Sequence, residues 1–271
     1  MPTAVQAAFL GIVQGLTEFL PVSSSAHLIL ARAFFGFDGT RFGLAFDVAC
    51  HVGTLMAVAI YFRQELSRMV VALPSLLQPH GEKWARMIWL LVAGTIPAVV
   101  VGLLFGSFIE DHLRTVPLAA TTLSIGAIGL FWAERAGRKT RDEHGLTVGE
   151  ALLIGCAQAL ALVPGVSRSG ATLIVALLLG LRRIDAAQFI FLLSIPAILG
   201  AAAKETPAIL RAGLGGSGAL FVIGVVSSGV VGYLAVKYFI RYLASHSLDL
   251  FAWYRLALAA TAVVWLAVAA S

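Results

Sequence analysis

Six side chains with chemistry to offer, Gln14, Glu18, Ser23, Ser24, Ser25 and His27, crowd into one apolar stretch, GIVQGLTEFLPVSSSAH (Gly11–His27). A second polar run, PGVSRSGAT (Pro164–Thr172), adds Ser167, Arg168, Ser169 and Thr172. Gln14 and Glu18 are four residues apart and share one face of a helix. Pro21 ends that helix, and Ser23–Ser25 are natural caps for the next. In the second run, Gly165 and Gly170 let backbone approach a ligand closely. Serine hydroxyls and backbone N–H groups at a helix start suit an anion. Arg168 brings a planar, permanently charged fork that matches phosphate. A carboxylate, an imidazole, several hydroxyls and this fork together fit phosphoryl transfer to water. The candidate catalytic set is Glu18, Ser24, His27 and Arg168. The phosphate-binding set is Ser23, Ser25, Ser167, Arg168, Ser169 and Thr172, with Gln14 in support. Asp47 and His51, also four apart, rank second: they line the same cavity or form an interfacial pair. The rival from a different class makes Glu18 an ion or proton site in a transporter.

The elements that must hold these residues are membrane helices. The chain has 271 residues, is 59% hydrophobic and 12% charged, and has a mean hydropathy of +0.93. Soluble domains carry roughly 25% charged residues, so this is an all-α polytopic membrane protein, read as a single membrane-embedded domain over 1–271. An ionised side chain at bilayer depth costs ~2.5–3.5 kcal/mol even on a lenient scale. A polar helix break is tolerated there only when buried in protein or lining a wet cavity. Met1–Pro2–Thr3 shows no basic leader, so no cleaved signal is expected. Cys50 and Cys156 lie in apolar segments and are read as small hydrophobes. The net charge of +5 sits mainly in short loops, so no nucleic-acid partner is expected.

The apolar segments repeat. Residues 4–31 are broken at Pro21–Ser25, then come spans at 43–62, 85–108 and 116–133. Residues 148–180 are broken again, then come spans at 186–203, 218–241 and 250–270. Each span has about the 20 residues a crossing needs. At a constant offset of 144, residues 7–30 match 151–174 at seven of 24 positions, including Gly11/Gly155, Gln14/Gln158, Ser23/Ser167 and Ser25/Ser169. Arg63, Arg68, Lys83 and Arg86, then Arg135, Arg138, Lys139 and Arg141, mark their loops as cytoplasmic, as do Arg182 and Arg183. Arg32, Arg41, Lys204 and Arg211 fall on the other side and run against the trend. Each half (about 1–140 and 141–271) is then a re-entrant broken helix pair plus three transmembrane helices. Three is odd, so the halves are inverted, and a site lies where the breaks meet. A phosphate site at that depth implies an amphiphilic substrate whose tail stays in lipid.

At QGLTEFLPVSSSAH (Gln14–His27) and PGVSRSGAT (Pro164–Thr172) the sequence resembles the bacitracin-resistance family of undecaprenyl-diphosphate phosphatases. FDVACHVGT (Phe46–Thr54) and FIFLLSIPAILGA (Phe189–Ala201) are weaker supports, and the likeness runs over essentially the whole chain. The resemblance implies hydrolysis of undecaprenyl diphosphate to the monophosphate and inorganic phosphate. That recycles the carrier lipid for peptidoglycan synthesis and gives bacitracin resistance. It places the family's acidic motif on Gln14 and Glu18, its serine–histidine motif on Ser23, Ser24 and His27, and its arginine motif on Ser167, Arg168 and Thr172. It also implies a divalent cation, Mg²⁺ or Ca²⁺, with Glu18 as its ligand, and a location in the bacterial inner membrane with the site opening outward. The partners expected are the polyprenyl diphosphate lipid, the bilayer and, in an oligomer, a second copy in a homodimer. Two positions depart from the family's pattern. Gln14 stands where Glu is frequent, and Ser25–Ala26 where Thr–Gly or Ser–Gly is common. A two-carboxylate metal site is therefore not expected. A polyprenyl-phosphate flippase on the same repeat is the rival function.

Overall fold

The computed structural model describes residues 3–39, 41–76, 83–212 and 218–269, and of residues 205, 207–212 and 269 only the backbone. The described residues form eleven α-helices in chain order: α1 (Thr3–Phe19), α2 (Ser24–Phe35), α3 (Leu44–Tyr61), α4 (Arg63–Ala72), α5 (Lys83–His112), α6 (Val116–Ala136), α7 (Val148–Leu160), α8 (Arg168–Leu178), α9 (Arg183–Ala212), α10 (Gly218–Leu243) and α11 (Asp249–Ala269). No strand occurs among the described residues. A lone bridge joins Arg141 to Leu181.

Among the described residues, six helices are long and apolar enough to cross a membrane: α3, α5, α6, α9 over Arg183–Lys204, α10, and α11 over Asp249–Val268. They coincide with the six spans expected from sequence, and the chain is a multi-pass membrane protein. Helix α4 was not expected, because its segment carries Arg63, Glu65 and Arg68 and lacks a continuous apolar face. Helix α7 has 13 residues and α8 has 11. At 1.5 Å per residue that is about 20 Å or less, short of the ~30 Å hydrocarbon core. Residues of both breaks, Val22 and Ser23 in the first and Ser167 and Ser169 in the second, are buried inside the bundle.

The two breaks share one backbone solution. Ser23 and Ser167 carry φ of 73° and 70°, a region L-residues rarely adopt. Each is the N-cap of the helix that follows. The Ala26 N–H donates to Ser23 Oγ and the Gly170 N–H to Ser167 Oγ. The repeated glycines also play one role in both halves. A Cβ at Gly11 would collide with the α10 backbone at Gly224, and one at Gly155 with the α5 backbone at Gly94. Helix α1 thus packs on α10, α7 on α5, α6 on α11, and α3 on both α9 and α10. Small residues that let backbones touch are what holds helices together in lipid. The lead helix of each break is seated against a long helix from the other half of the chain.

Glu134, Asp142 and Asp185 read from sequence as loop charges, and the structure gives each a partner. Glu134 is buried, where it pairs with Arg183 and Lys139 and accepts the Leu248 N–H at 3.1 Å. It ties α6 to the starts of α9 and α11. Asp185 pairs with Arg182 at 2.7 Å. Asp142 caps the short turn Glu143–Gly145. Cys50 is buried as expected, whereas Cys156 faces outward.

Candidate active site

Glu18 sits one residue before the end of α1 and is buried. Its carboxylate is a hub. Gln14 Nε2 and Ser24 Oγ each donate to Oε2 at 2.7 Å, and the Arg168 guanidinium donates to Oε1. His51 Nε2 lies 3.4 Å from Oε2. The α1 register places Gln14 one turn below Glu18. The two strained serines place Ser24 and Arg168 at the first positions of α2 and α8, where both side chains reach the same carboxylate. Glu18 of the first break and Arg168 of the second, 150 positions apart, are therefore in direct contact.

The breaks are also stitched directly. The Gly165 N–H donates to Ser25 Oγ at 3.2 Å, and Ser169 Oγ donates to the Leu20 carbonyl at 2.8 Å. Arg255 of α11 is fully buried and donates to five backbone carbonyls: Pro21 of the first break, Gly165 and Val166 of the second, and Thr122 and Leu123 of α6. Carbonyls left open by a helix break in an apolar interior must find donors, and one guanidinium serves both tips. Sequence reading missed Arg255. Its signal was there, a lone arginine within the apolar span of α11.

A cavity of about 360 Å³ opens from this hub. Its polar end is lined by Glu18, Ser23, Ser24, Ser25, His51, Ser167 and Arg168. It continues between α5 and α9 along small and apolar residues, among them Ala98, Gly102, Gly106, Ala197 and Ala201. Leu103 of its wall is also 72% exposed on the outside of the bundle, so this part borders the lipid face.

Not every expected residue arrives there. His27 turns toward α11: Nδ1 meets the Ser23 carbonyl at 2.7 Å, Nε2 meets the Tyr254 hydroxyl at 2.8 Å, and the rings stack. A carbonyl only accepts, so Nδ1 donates to Ser23, while Nε2 shares a hydrogen bond with the Tyr254 hydroxyl. That leaves His27, placed in the catalytic set from sequence, with both ring nitrogens engaged and outside the cavity lining. Thr172 is buried and donates to the Arg168 carbonyl at 2.6 Å, and Ser169 is turned to Leu20. Neither lines the cavity, so both build the break and do not face a phosphate. Asp47 and His51 both line it, but as members of different groups. His51 joins Glu18, while Asp47 pairs with Arg32 and, at 2.9 Å, with Arg114.

Among the described residues no three His, Cys, Asp or Glu side chains cluster as a metal cage. Both oxygens of Glu18 already face donors, a guanidinium among them. Gln14 Oε1 is buried without a partner. This donor set does not fit a resident metal.

Residues 7–261 match the family described as bacitracin resistance protein BacA. The chain belongs to this family. Among its relatives is an undecaprenyl-diphosphatase of Rubrobacter xylanophilus, 48% identical over 94% of this chain and 96% of the relative. Another undecaprenyl-diphosphatase, from Moorella thermoacetica, is 44% identical over 97% and 99%. An undecaprenyl-diphosphatase 2 of Stutzerimonas stutzeri is 46% identical over 96% and 97%. The family match spans both breaks and runs from α1 into α11. It thus takes in Glu18, Ser24 and Arg168 together.

Proposed function

We propose that the chain hydrolyses undecaprenyl diphosphate to undecaprenyl phosphate and inorganic phosphate, in the inner membrane and from the outer side. The observation that carries the mechanism is the Glu18 hub. A serine hydroxyl and a guanidinium share one buried carboxylate at the polar end of a cavity whose other part is apolar and borders lipid. The diphosphate occupies the polar end, and the isoprenoid tail leaves between α5 and α9.

Ser24 Oγ is the nucleophile that this geometry favours. Glu18 takes the hydroxyl proton as Oγ bonds to the terminal phosphorus. The bridging P–O bond breaks, and its electron pair leaves with undecaprenyl phosphate. Glu18 passes that proton to the departing undecaprenyl phosphate. Water then attacks the phosphoserine with the freed Glu18 carboxylate as base. Glu18 returns the water's proton to Ser24 Oγ as the P–Oγ bond breaks and inorganic phosphate departs. Arg168 makes one side-chain hydrogen bond among the described residues, leaving four of its five N–H donors for phosphoryl oxygens. A divalent cation bound with the diphosphate would supply charge neutralisation.

The outward orientation rests on the cytoplasmic reading of the basic loops at 63–86 and 134–144. The inverted repeat rests on the offset of 144 and on the exchange of α1 and α7 between halves. The Thr40 and Ser271 positions that would report the outer face lie outside the described residues. The test is phosphate release by purified protein in detergent, supplied with a C55 diphosphate. A flippase has no sides to cross there, so stoichiometric release of phosphate and monophosphate supports the phosphatase. Intact diphosphate after prolonged incubation with folded protein overturns it.

A further inference from the structure

The charged side chains that line the cavity, together with their partners, do not cancel. Arg168 is balanced by Glu18, and Lys204 faces Glu110 at 3.9 Å on the rim. Asp47, by contrast, carries two arginines. Arg32 already engages both of its oxygens, through Nη1 to Oδ2 at 3.1 Å and through Nη2 to Oδ1. Arg114 adds a single bond from Nη2 to Oδ2 at 2.9 Å. Its side chain is 29% exposed and lines the cavity, while the Arg32 Nε is buried without a partner. Two guanidiniums on one carboxylate leave one positive charge over, on a largely apolar wall. An uncompensated charge in such a place is costly unless a counter-anion visits it. Asp47 lies in the first turn of α3, four residues before His51, which touches Glu18. Four residues of helix are about 6 Å. The spare charge therefore sits roughly one helical turn from the hub, toward the start of α3.

We propose that Arg114, held by Asp47 with Arg32, forms a second phosphate subsite in this cavity. Its ligand is a phosphoryl oxyanion with at least two oxygens free for a guanidinium fork. That anion is either the second phosphate of a bound diphosphate or the inorganic phosphate on its way out. The inference rests on the phosphatase reading for its role in turnover, but not for the binding of phosphate itself.

The experiment uses the full chain in detergent, as wild type and as Arg114→Gln, Arg114→Lys and, as a control at the far end of the bundle, Arg135→Gln. Three quantities are read: KM for a C55 diphosphate, the inhibition constant of added inorganic phosphate, and the direct phosphate Kd from titration. Loss of a charge-assisted bond corresponds to about tenfold or more. A tenfold rise of the inhibition constant in Arg114→Gln with KM unchanged assigns the subsite to released phosphate. A tenfold rise of KM assigns it to the substrate's second phosphate. Either supports the subsite, with Arg114→Lys intermediate and Arg135→Gln unchanged. All three constants within twofold of wild type in Arg114→Gln would overturn it. Asp47 keeps Arg32 in that variant; should it fail to fold, Arg114→Lys decides by the same readings. If no variant and no wild-type sample turns over diphosphate, the phosphate Kd alone decides the subsite, and the phosphatase reading fails separately.

Discussion

The first and second breaks are alike in backbone and unlike in chemistry. Both turn on a serine with φ near 70°, and both caps accept an N–H three residues on. At the offset of 144 the matched positions then diverge: Glu18 faces Leu162, Ser24 faces Arg168, and His27 faces Ala171. One copy carries the carboxylate and the hydroxyl, the other the guanidinium. Duplicating a scaffold gives two tips aimed at one point. Only the divergence of the side chains turns that point into an ion pair beside a nucleophile. Two copies of the first tip would have set two carboxylates together, and like charges that close resist joint ionisation.

The sharpest way to break this comparison is to remove the group that joins the two tips. Glu18→Gln keeps size and hydrogen bonding but loses the base and the ion pair. Its kcat should fall by on the order of 10²–10⁴, measured as phosphate release from folded protein. Wild-type turnover would detach the first break from catalysis. Next in size is Arg168→Lys, which keeps charge and loses the fork. A loss of about ten- to hundredfold is expected, with unchanged membrane insertion. An equal effect from Leu162→Ala would show that the second break acts through packing and not through its guanidinium.

A smaller effect tests the likeness. Ser23→Ala and Ser167→Ala each remove a cap and should each lower stability by about 0.5–2 kcal/mol. Ser→Gly loses the same hydroxyl but relieves a backbone conformation that costs of order 1–3 kcal/mol in a non-glycine residue. The glycine variants should therefore melt higher than the alanine ones at both positions. Opposite orders at 23 and 167 would mean the two tips are not equivalent.

The smallest effect lies far from either tip, in the loop before α7. Burial and the neighbouring Asp185 carboxyl push Glu143 up to about 7. A carboxyl raised on folding binds its proton more tightly in the native state. Its stabilising share is thus full at low pH and falls away as pH rises from the ordinary carboxylate range toward 7. Glu143→Gln should flatten the decline of Tm between pH 5 and pH 8. An unchanged slope would place the pH dependence elsewhere.

Sequence showed the six spans and both breaks because hydropathy and Pro–Gly punctuation are local signals. It also placed Glu18, Ser24 and Arg168 in one candidate site, since repeats with matched breaks bring their tips together, though it gave no ion pair between Glu18 and Arg168. It did not show which way His27 or His51 points. Spacing fixes the face a residue shares on its own helix, not how that helix is rotated against another. So His27, adjacent in sequence to the serines, went to Tyr254, and His51, a whole helix away, reached Glu18. Arg255 was equally hidden, because nothing local in α11 says that five carbonyls open opposite it.

The position of Arg255 in the chain has a consequence for biogenesis. It is the residue that ties the tips together, and it follows Arg168 by 87 positions (255 less 168). The ribosome therefore delivers both polar breaks before their shared lock. Until α11 enters the bilayer, the carbonyls of Pro21, Gly165 and Val166 lack this donor, and water or the insertion machinery must serve them. A chain arrested between α8 and α11 would hold every group of the Glu18 hub and still lack the order of a working enzyme. Hydrolytic competence would then arise late in synthesis and abruptly, as a single event of assembly.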